Sequence, residues 1–244
     1  MKTISPQVRS ELAPGGTLRA GLNYGNFLLV TKRAPDPAGV APDLARELAR
    51  RLGAKLEFVG YESAGGVADA VKENAWDLAL IGAEPARAGD IAFTAAYVEI
   101  EATYLVPAGS PIRSIDDVDR PGVRIAAAAR SAYDLYLQRS IKHATIVPAE
   151  GLPASFDLFV REKLDVLAGL KPRLLMDVEK LPGARILDGR FTAVQQAMGT
   201  PRVREAAAAY LREFAEDVKS SGLVAELIAR HGVRGLSVAP PAAA

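Results

Sequence analysis

Residues 76–107 read WDLALIGAEPARAGDIAFTAAYVEIEATYLVP, and their chemistry runs in the order of a strand leading into a binding turn. The apolar run 78–81 predicts a short buried strand. Gly82 and Ala83 make a small-residue turn, Glu84 and Arg87 supply an acid and a cation, and a second extended stretch follows from Phe93. A strand ending in such a turn delivers backbone N–H groups and side chains to a sheet edge, the place where open α/β sheets bind ligands.

Upstream, residues 18–22 (LRAGL) predict the first strand, followed by Asn23, Tyr24, Gly25, Asn26 and Phe27. APDPAG at 34–39 suits a surface hairpin. Pro42 is expected to open a helix carrying Leu44, Leu48 and Leu52, stopped by Gly53. A strand at 56–58 and a helix over 66–74 lead to Trp76, expected to pack at a sheet end. The order βαβαβ implies a parallel sheet.

Downstream the pattern restarts without repeating the sequence. A short helix at 114–118 with an acidic first turn precedes a strand at 123–127. Ser131 is expected to cap a helix with Tyr133 facing the core, and Ser155 to open the next. Strands are expected at 145–147, 164–168 and 185–187, with Lys171-Pro172 opening another helix. Pro201 is expected to begin a long final helix, with one more after Gly222. Extended stretches at 93–106 and 191–199 suggest that the chain crosses between two lobes twice, leaving a hinge and a cleft. The expected organisation is a flexible lead (1–16), a first lobe of 17–100 plus 195–238, a second lobe of 101–194 and a disordered tail (239–244).

Composition narrows the function. Of 244 residues 49% are hydrophobic and the net charge is +1, so a sizeable core is available but no basic excess for nucleic acid or an anionic bilayer. There is no apolar run long enough to span a membrane. Without cysteine there is no disulfide, thiol catalysis or thiolate metal site. His143 and His231 are too far apart in sequence to suggest a metal site or a triad, and no phosphate loop, dinucleotide fingerprint or nucleophile elbow is present. No cofactor, metal or catalytic residue is expected. The N-terminal sequence shows no apolar signal region: the expectation is periplasmic if a leader has been removed and cytoplasmic if Met1 is the native start.

Four segments carry a resemblance: LRAGLN (18–23), GVAPDLARELARRLG (39–53), the stretch from Trp76 with its Arg87 and IAFTAAY run, and DVL (165–167). Together they resemble the amino-acid-binding (family 3) class of type II periplasmic-type solute-binding proteins of ABC transporters, over residues 18–232. The resemblance implies a two-lobed α/β fold, each lobe a mixed, mostly parallel sheet flanked by helices, with two crossover strands as hinge. It implies a monomeric receptor closing on a small carboxylate, an amino acid or related organic acid, for delivery to a membrane permease, with no nucleic acid involved.

The resemblance also assigns positions. Arg87 would pair with the ligand carboxylate, its planar fork satisfying both oxygens; the alternative is an arginine capping a turn. Ser131 and Ala132 open the helix whose N–H groups would hold the same carboxylate, or Ser131 is an N-cap alone. Leu170 stands where the family has an aspartate for the α-ammonium. Glu84 is the candidate replacement, unless it pairs with Arg87 or faces water. Asn26 stands at the usual stacking aromatic, with Tyr24 beside it, and Arg130 replaces a glycine, as a second ligand cation or a solvated loop residue. Of the other polar groups, Glu99 and Glu101 share one strand face and Gln195 and Gln196 lie at the return crossing. The enzyme alternative on this fold is a cyclohexadienyl-dehydratase-like lyase, for which no motif singles out a general acid. A further alternative is a cytoplasmic binding protein without a transporter.

Overall fold

In the computed structural model, which describes residues 4–242, a helix stands where a flexible lead is expected. α1 (Pro6–Leu12) is capped by Ser5, whose side chain accepts from the Val8 N–H, and buries Val8 and Leu12. Two apolar residues one turn apart are a faint signal in sequence, yet with Ser and Pro at its start they suffice for a short docked helix. Residues 1–3 of the expected lead lie outside the described residues.

The chain forms two compact units, one running through Glu99 and resuming at Gln195, the other Ile100–Val194. In the first, β1 (Thr17–Asn23) pairs in parallel with β2 (Lys55–Tyr61) on one side and β3 (Leu78–Gly82) on the other. α2 (Val40–Leu52) and α3 (Ala64–Asp69) make the crossovers. α2 begins two residues before Pro42, with Gly39 as N-cap. The proline is still harmless, because the first four N–H groups of a helix have no intrahelical acceptor. Gly39 has φ 134° and packs so tightly on the Leu29 carbonyl that a Cβ would lie 2.2 Å from the oxygen, so glycine is required there. α3 is likewise shorter than expected, and turns occupy the residues up to Asn74. Trp76 is fully buried, its Nε1 donating to the Val67 carbonyl at 2.8 Å and its ring packing over Gly21 of β1.

β4 (Ile91–Val106) carries the chain from the first unit into the second. There β5 (Arg124–Ala128) pairs in parallel with β6 (Thr145–Ala149) and with β7 (Val166–Leu170), while the far half of β4 runs antiparallel to β7. α4 (Ala132–Ser140) links β5 to β6 and α5 (Gly151–Arg161) links β6 to β7. α6 (Lys171–Val178) then leads to β8 (Arg185–Ile186), paired with β4. α5 starts four residues before Ser155, whose hydroxyl donates to the Leu152 carbonyl inside the helix. Phe159, Leu164, Leu167 and Leu174 form a core between α5, α6 and the sheet.

β9 (Thr192–Pro201) returns the chain to the first unit, antiparallel to β3. Pro201 ends this strand instead of opening a helix. A turn follows, with the Arg202 N–H on the Asp90 carbonyl and the Arg204 N–H on the Pro201 carbonyl, and α7 (Glu205–Ser220) begins after it. α7 packs on α1, and α8 (Leu223–Arg230) packs on α2. The segment expected to be a disordered tail is tied down as far as it is described. β10 (Ser237–Val238) pairs with Val98 and Glu99 of β4, the Ala239 N–H reaches the Tyr97 carbonyl, and the Lys219 ammonium reaches the Pro240 carbonyl. Residues 243 and 244 lie outside the described residues.

Candidate functional site

Both units have the same topology where it matters. From β1 the chain crosses to β2 on one side and then returns past β1 to β3 on the other. From β5 it crosses to β6 and returns past β5 to β7. Strand order reverses at β1/β3 and at β5/β7, and the carboxyl ends of strands at such switch points are where open α/β sheets hold ligands. Every expected site residue lies at one of these two edges.

At the first edge, β3 ends at Gly82 and a 3-10 turn, Pro85–Arg87, follows with Glu84 as its N-cap residue. Arg87 is buried, and its Nη1 donates to the Gly82 carbonyl at 2.5 Å. The guanidinium is thus folded back on the tip of its own strand, which fixes its position. Ala83 is engaged differently: its N–H donates to the Gln195 carbonyl at 2.7 Å. Gly82 and Ala83 therefore shape and anchor the turn through their backbones. Glu84 is half-buried beside them.

After β1, Asn26 is buried and its side-chain oxygen accepts from the Leu28 N–H at 3.2 Å, while its backbone carbonyl accepts from Leu29 and Val30. This is an Asx turn, so the residue folds its own loop. Tyr24 lies against Gly60 of β2, where a Cβ would come within 2.0 Å of the ring, and the Arg33 guanidinium lies 5.6 Å over the ring centroid. Arg33 in turn pairs with the exposed Glu62 at 2.9 Å. The Tyr24 ring thus lies between Gly60 and Arg33.

At the second edge, β5 is followed by Arg130 in the left-handed region, φ 57°. Its N–H donates to Asp134 Oδ2 at 2.7 Å, and the Ser131 side chain accepts from the Asp134 N–H at 3.1 Å. Ser131 is therefore an N-cap of α4, as expected, with Asp134 closing the reciprocal bond back to the residue before it. Ala132 and Tyr133 are buried at this helix start, and burial raises the Tyr133 phenol, which stays neutral. Leu170 closes β7 and is buried.

Two cations at this edge are missed by sequence reading. Lys171, first residue of α6, places Nζ 2.9 Å from Glu101 Oε2, and Arg190 places Nη1 3.5 Å from Glu101 Oε1. Phe191 holds Arg190 in place: its N–H donates to the Ala102 carbonyl, and its ring stacks on Tyr104 at 4.4 Å and near Tyr136 at 6.0 Å. Lys171 adjoins Leu170 and was readable from the sequence. Arg190 is brought in by strand pairing, for which the sequence carries no local signal. Among the described residues no group of three or more His, Cys, Asp or Glu is placed to hold a metal ion, and no helix is long and apolar enough to cross a membrane.

Two α/β units, each with a candidate edge at a switch point and joined by two strands, have the architecture of two-unit solute-binding proteins. The family model described as bacterial extracellular solute-binding proteins, family 3, matches residues 22–233, and the chain belongs to this family. A comparison with curated proteins gives no match. Among solved structures, a mutant of ArgBP from T. maritima superposes with a TM-score of 0.74 at 19% identity, covering 92% of this chain and 99% of that one. The ancestral amino acid-binding protein AncCDT-1, a precursor of cyclohexadienyl dehydratase, gives 0.73 at 21% identity over 91% and 97%. The amino acid ABC transporter substrate-binding protein AbpA from Streptococcus pneumoniae, bound to L-arginine, gives 0.73 at 18% over 90% and 96%. At these identities the likeness establishes the two-lobed type II fold; the family establishes the class of protein.

Proposed function

We propose that this chain is the receptor of an ABC transporter, binding a small carboxylate-bearing solute and delivering it to a membrane permease. One observation carries the reading: a buried arginine, Arg87, held at the tip of β3 at a topological switch point by a bond to the Gly82 carbonyl. The bond to the strand tip orients the guanidinium, and its planar fork matches the two oxygens of a carboxylate. Within the second unit, the α4 start at Ser131 and Ala132 is a helix N-terminus of the kind that favours an anion. The solved neighbours named above are binding proteins, which supports a binder over a lyase.

Calorimetry tests the reading. Arg87→Ala is expected to abolish carboxylate binding while far-UV circular dichroism stays unchanged, and Arg87→Lys to recover only part of the affinity, since a point charge replaces a fork. Unchanged affinity in both variants removes Arg87 from the site.

A further inference from the structure

We infer that the second unit carries a separate binding site for a small aromatic monoanion, at the end of its sheet away from the β5/β7 switch point. The inference stands apart from the carboxylate-receptor reading and uses none of its residues. The chain leaves β4 at Val106 and enters β7 at Val166. These strands are antiparallel, so both points lie at one end of the sheet, opposite to Leu170. A cavity of about 360 Å³ opens there. It is lined by Pro107 and Ala108 after β4, by Phe159 and Leu164 at and beyond the end of α5, and by Leu181 and Ala184 before β8. All belong to the second unit. Local geometry builds the cavity in. Lys163 turns the chain off α5 in the left-handed region, φ 48°, and its carbonyl accepts from the Arg124 guanidinium at 3.0 Å. That turn places Leu164 in the core with Phe159 and Leu167. In the loop before β8, Gly183 has φ 79° and lies so close to Ala108 that a Cβ would come within 2.9 Å of the alanine Cβ.

The lining decides the ligand. Small-molecule sites run from about 300 to 1,000 Å³ and are mostly apolar with a few polar groups, and this cavity is at the small end of that range. An apolar cavity of about 150 Å³ takes one benzene ring, so this one suits a body of roughly two rings. Val160, also in the lining, stays 43% exposed and offers such a body further apolar surface. The one charged residue of the lining is Lys163, which is exposed and so stands at the mouth. The acids around it are committed elsewhere or stand outside the cavity. Glu162 pairs with Arg161 at 3.2 Å, Asp165 with Arg124 at 3.7 Å, and Asp177 with Arg173 and Lys180. Asp157 and Glu179 are exposed and do not line it. The carbonyls of Pro107, Phe159, Val160 and Leu181 accept from the N–H groups of Ser110, Leu164, Lys163 and Ala184. An ammonium thus meets a lysine and no carboxylate, whereas an anionic head on an apolar body meets its complement in both parts.

The test is an amide nitrogen–proton NMR titration of the full chain with indole-3-acetate, 3-methylindole and tryptamine, three probes that share one ring system and differ in charge. Indole-3-acetate is expected to shift the amides of Ala108, Leu164 and Ala184 and to leave Gly82 and Ser131 in place. It should bind about three- to fivefold more tightly than 3-methylindole, the worth of one exposed ion pair, with tryptamine weakest. Lys163→Met should bring indole-3-acetate down to the level of 3-methylindole and leave the latter unchanged. Val160→Trp, made at an exposed position, should block all three probes. Three results overturn the inference: no shift at the cavity amides with any probe at about 1 mM, tryptamine binding as well as indole-3-acetate, or Lys163→Met leaving the order of the probes unchanged. Shifts confined to Gly82 or Ser131 overturn it as well, since the acid is then held at a switch-point edge. The carboxylate-receptor reading is untouched by any of these, because its own test is the Arg87→Ala calorimetry.

Discussion

Gly60 shows how far one missing methyl reaches. Its Cα hydrogen lets the Tyr24 ring settle on β2, so a residue with no functional group of its own sets the position of a candidate ligand contact. Gly60→Ala is expected to push the ring aside at a cost of about 1–3 kcal/mol, the usual range for overpacking. In Tyr24→Ala the same substitution should be nearly neutral, and a double-mutant cycle by urea denaturation measures that coupling. At this scale the sequence was partly legible. Arg87 lies buried at the end of the strand where the sequence places it. Ser131 was identified as a cap, and it is one. Asn26 is expected at the ligand wall, and its side-chain oxygen also accepts from the Leu28 N–H of its own loop, as short polar side chains after a strand often do. Arg190 was overlooked because it meets Glu101 only after the chain has gone out along β4 and come back.

Among the elements, α2 illustrates stability tied to charge. Glu47 is held by Arg50 at 2.8 Å and Arg51 at 2.6 Å, and Arg51 also reaches Asp217 of α7 at 2.6 Å. The hydrogen bond from Arg50, with further help from Arg51, lowers the Glu47 carboxyl from 4.5 to about 2. Because the folded value is depressed, the contribution is fully present above pH 4.5 and is lost as pH falls from 4.5 towards 2. Glu47→Gln is therefore expected to melt below the native chain at neutral pH, with the difference closing as the acid limit is approached; thermal unfolding across that range reads it. Strands and helix interiors were legible because their apolar spacing is strong. Helix starts were legible in part: α4 follows its Ser131 cap, α6 opens at Lys171 and α8 follows Gly222 as expected, while three others differ. α2 begins at a glycine cap instead of at Pro42, α5 four residues ahead of Ser155, and α7 after Pro201 has finished a strand. A proline or serine marks a permitted start, and the tertiary contact decides which one is used.

Within the first unit as a whole, Asp77 is the buried junction. It is fully buried, accepts from the Arg19 N–H and guanidinium on β1, and pairs with Arg204 just before α7 at 2.6 Å. It ties the first strand, the third strand and the returning chain at the sheet edge opposite the candidate site. Asp77→Ala leaves two guanidinium groups facing each other without a counter-charge, and is expected to cost about 3–5 kcal/mol in urea denaturation, with ligand affinity of the folded fraction preserved. The two crossing segments are visible in the sequence as extended stretches. The docked ends were not, since a seven-residue helix and a two-residue strand carry almost no periodicity.

Those docked ends share a support. Near the start of α7, the Ala207 N–H and the Arg204 guanidinium bind Glu11 of α1, and near its end Lys219 and Glu216 bind Pro240 and Ala242. Since α7 has 16 residues, the two anchor points are separated by roughly one helix length, about 24 Å at 1.5 Å per residue. A flexible Gly/Ser bridge of about 20 residues spans that distance, at 5–6 Å times the square root of its length. Segments 6–12 and 237–242 thus rest on one helix of the first unit, so a linker can join them and the polypeptide can be reopened in an exposed turn such as Asp188–Gly189, carrying a reporter into the unit that holds Lys171 and Arg190.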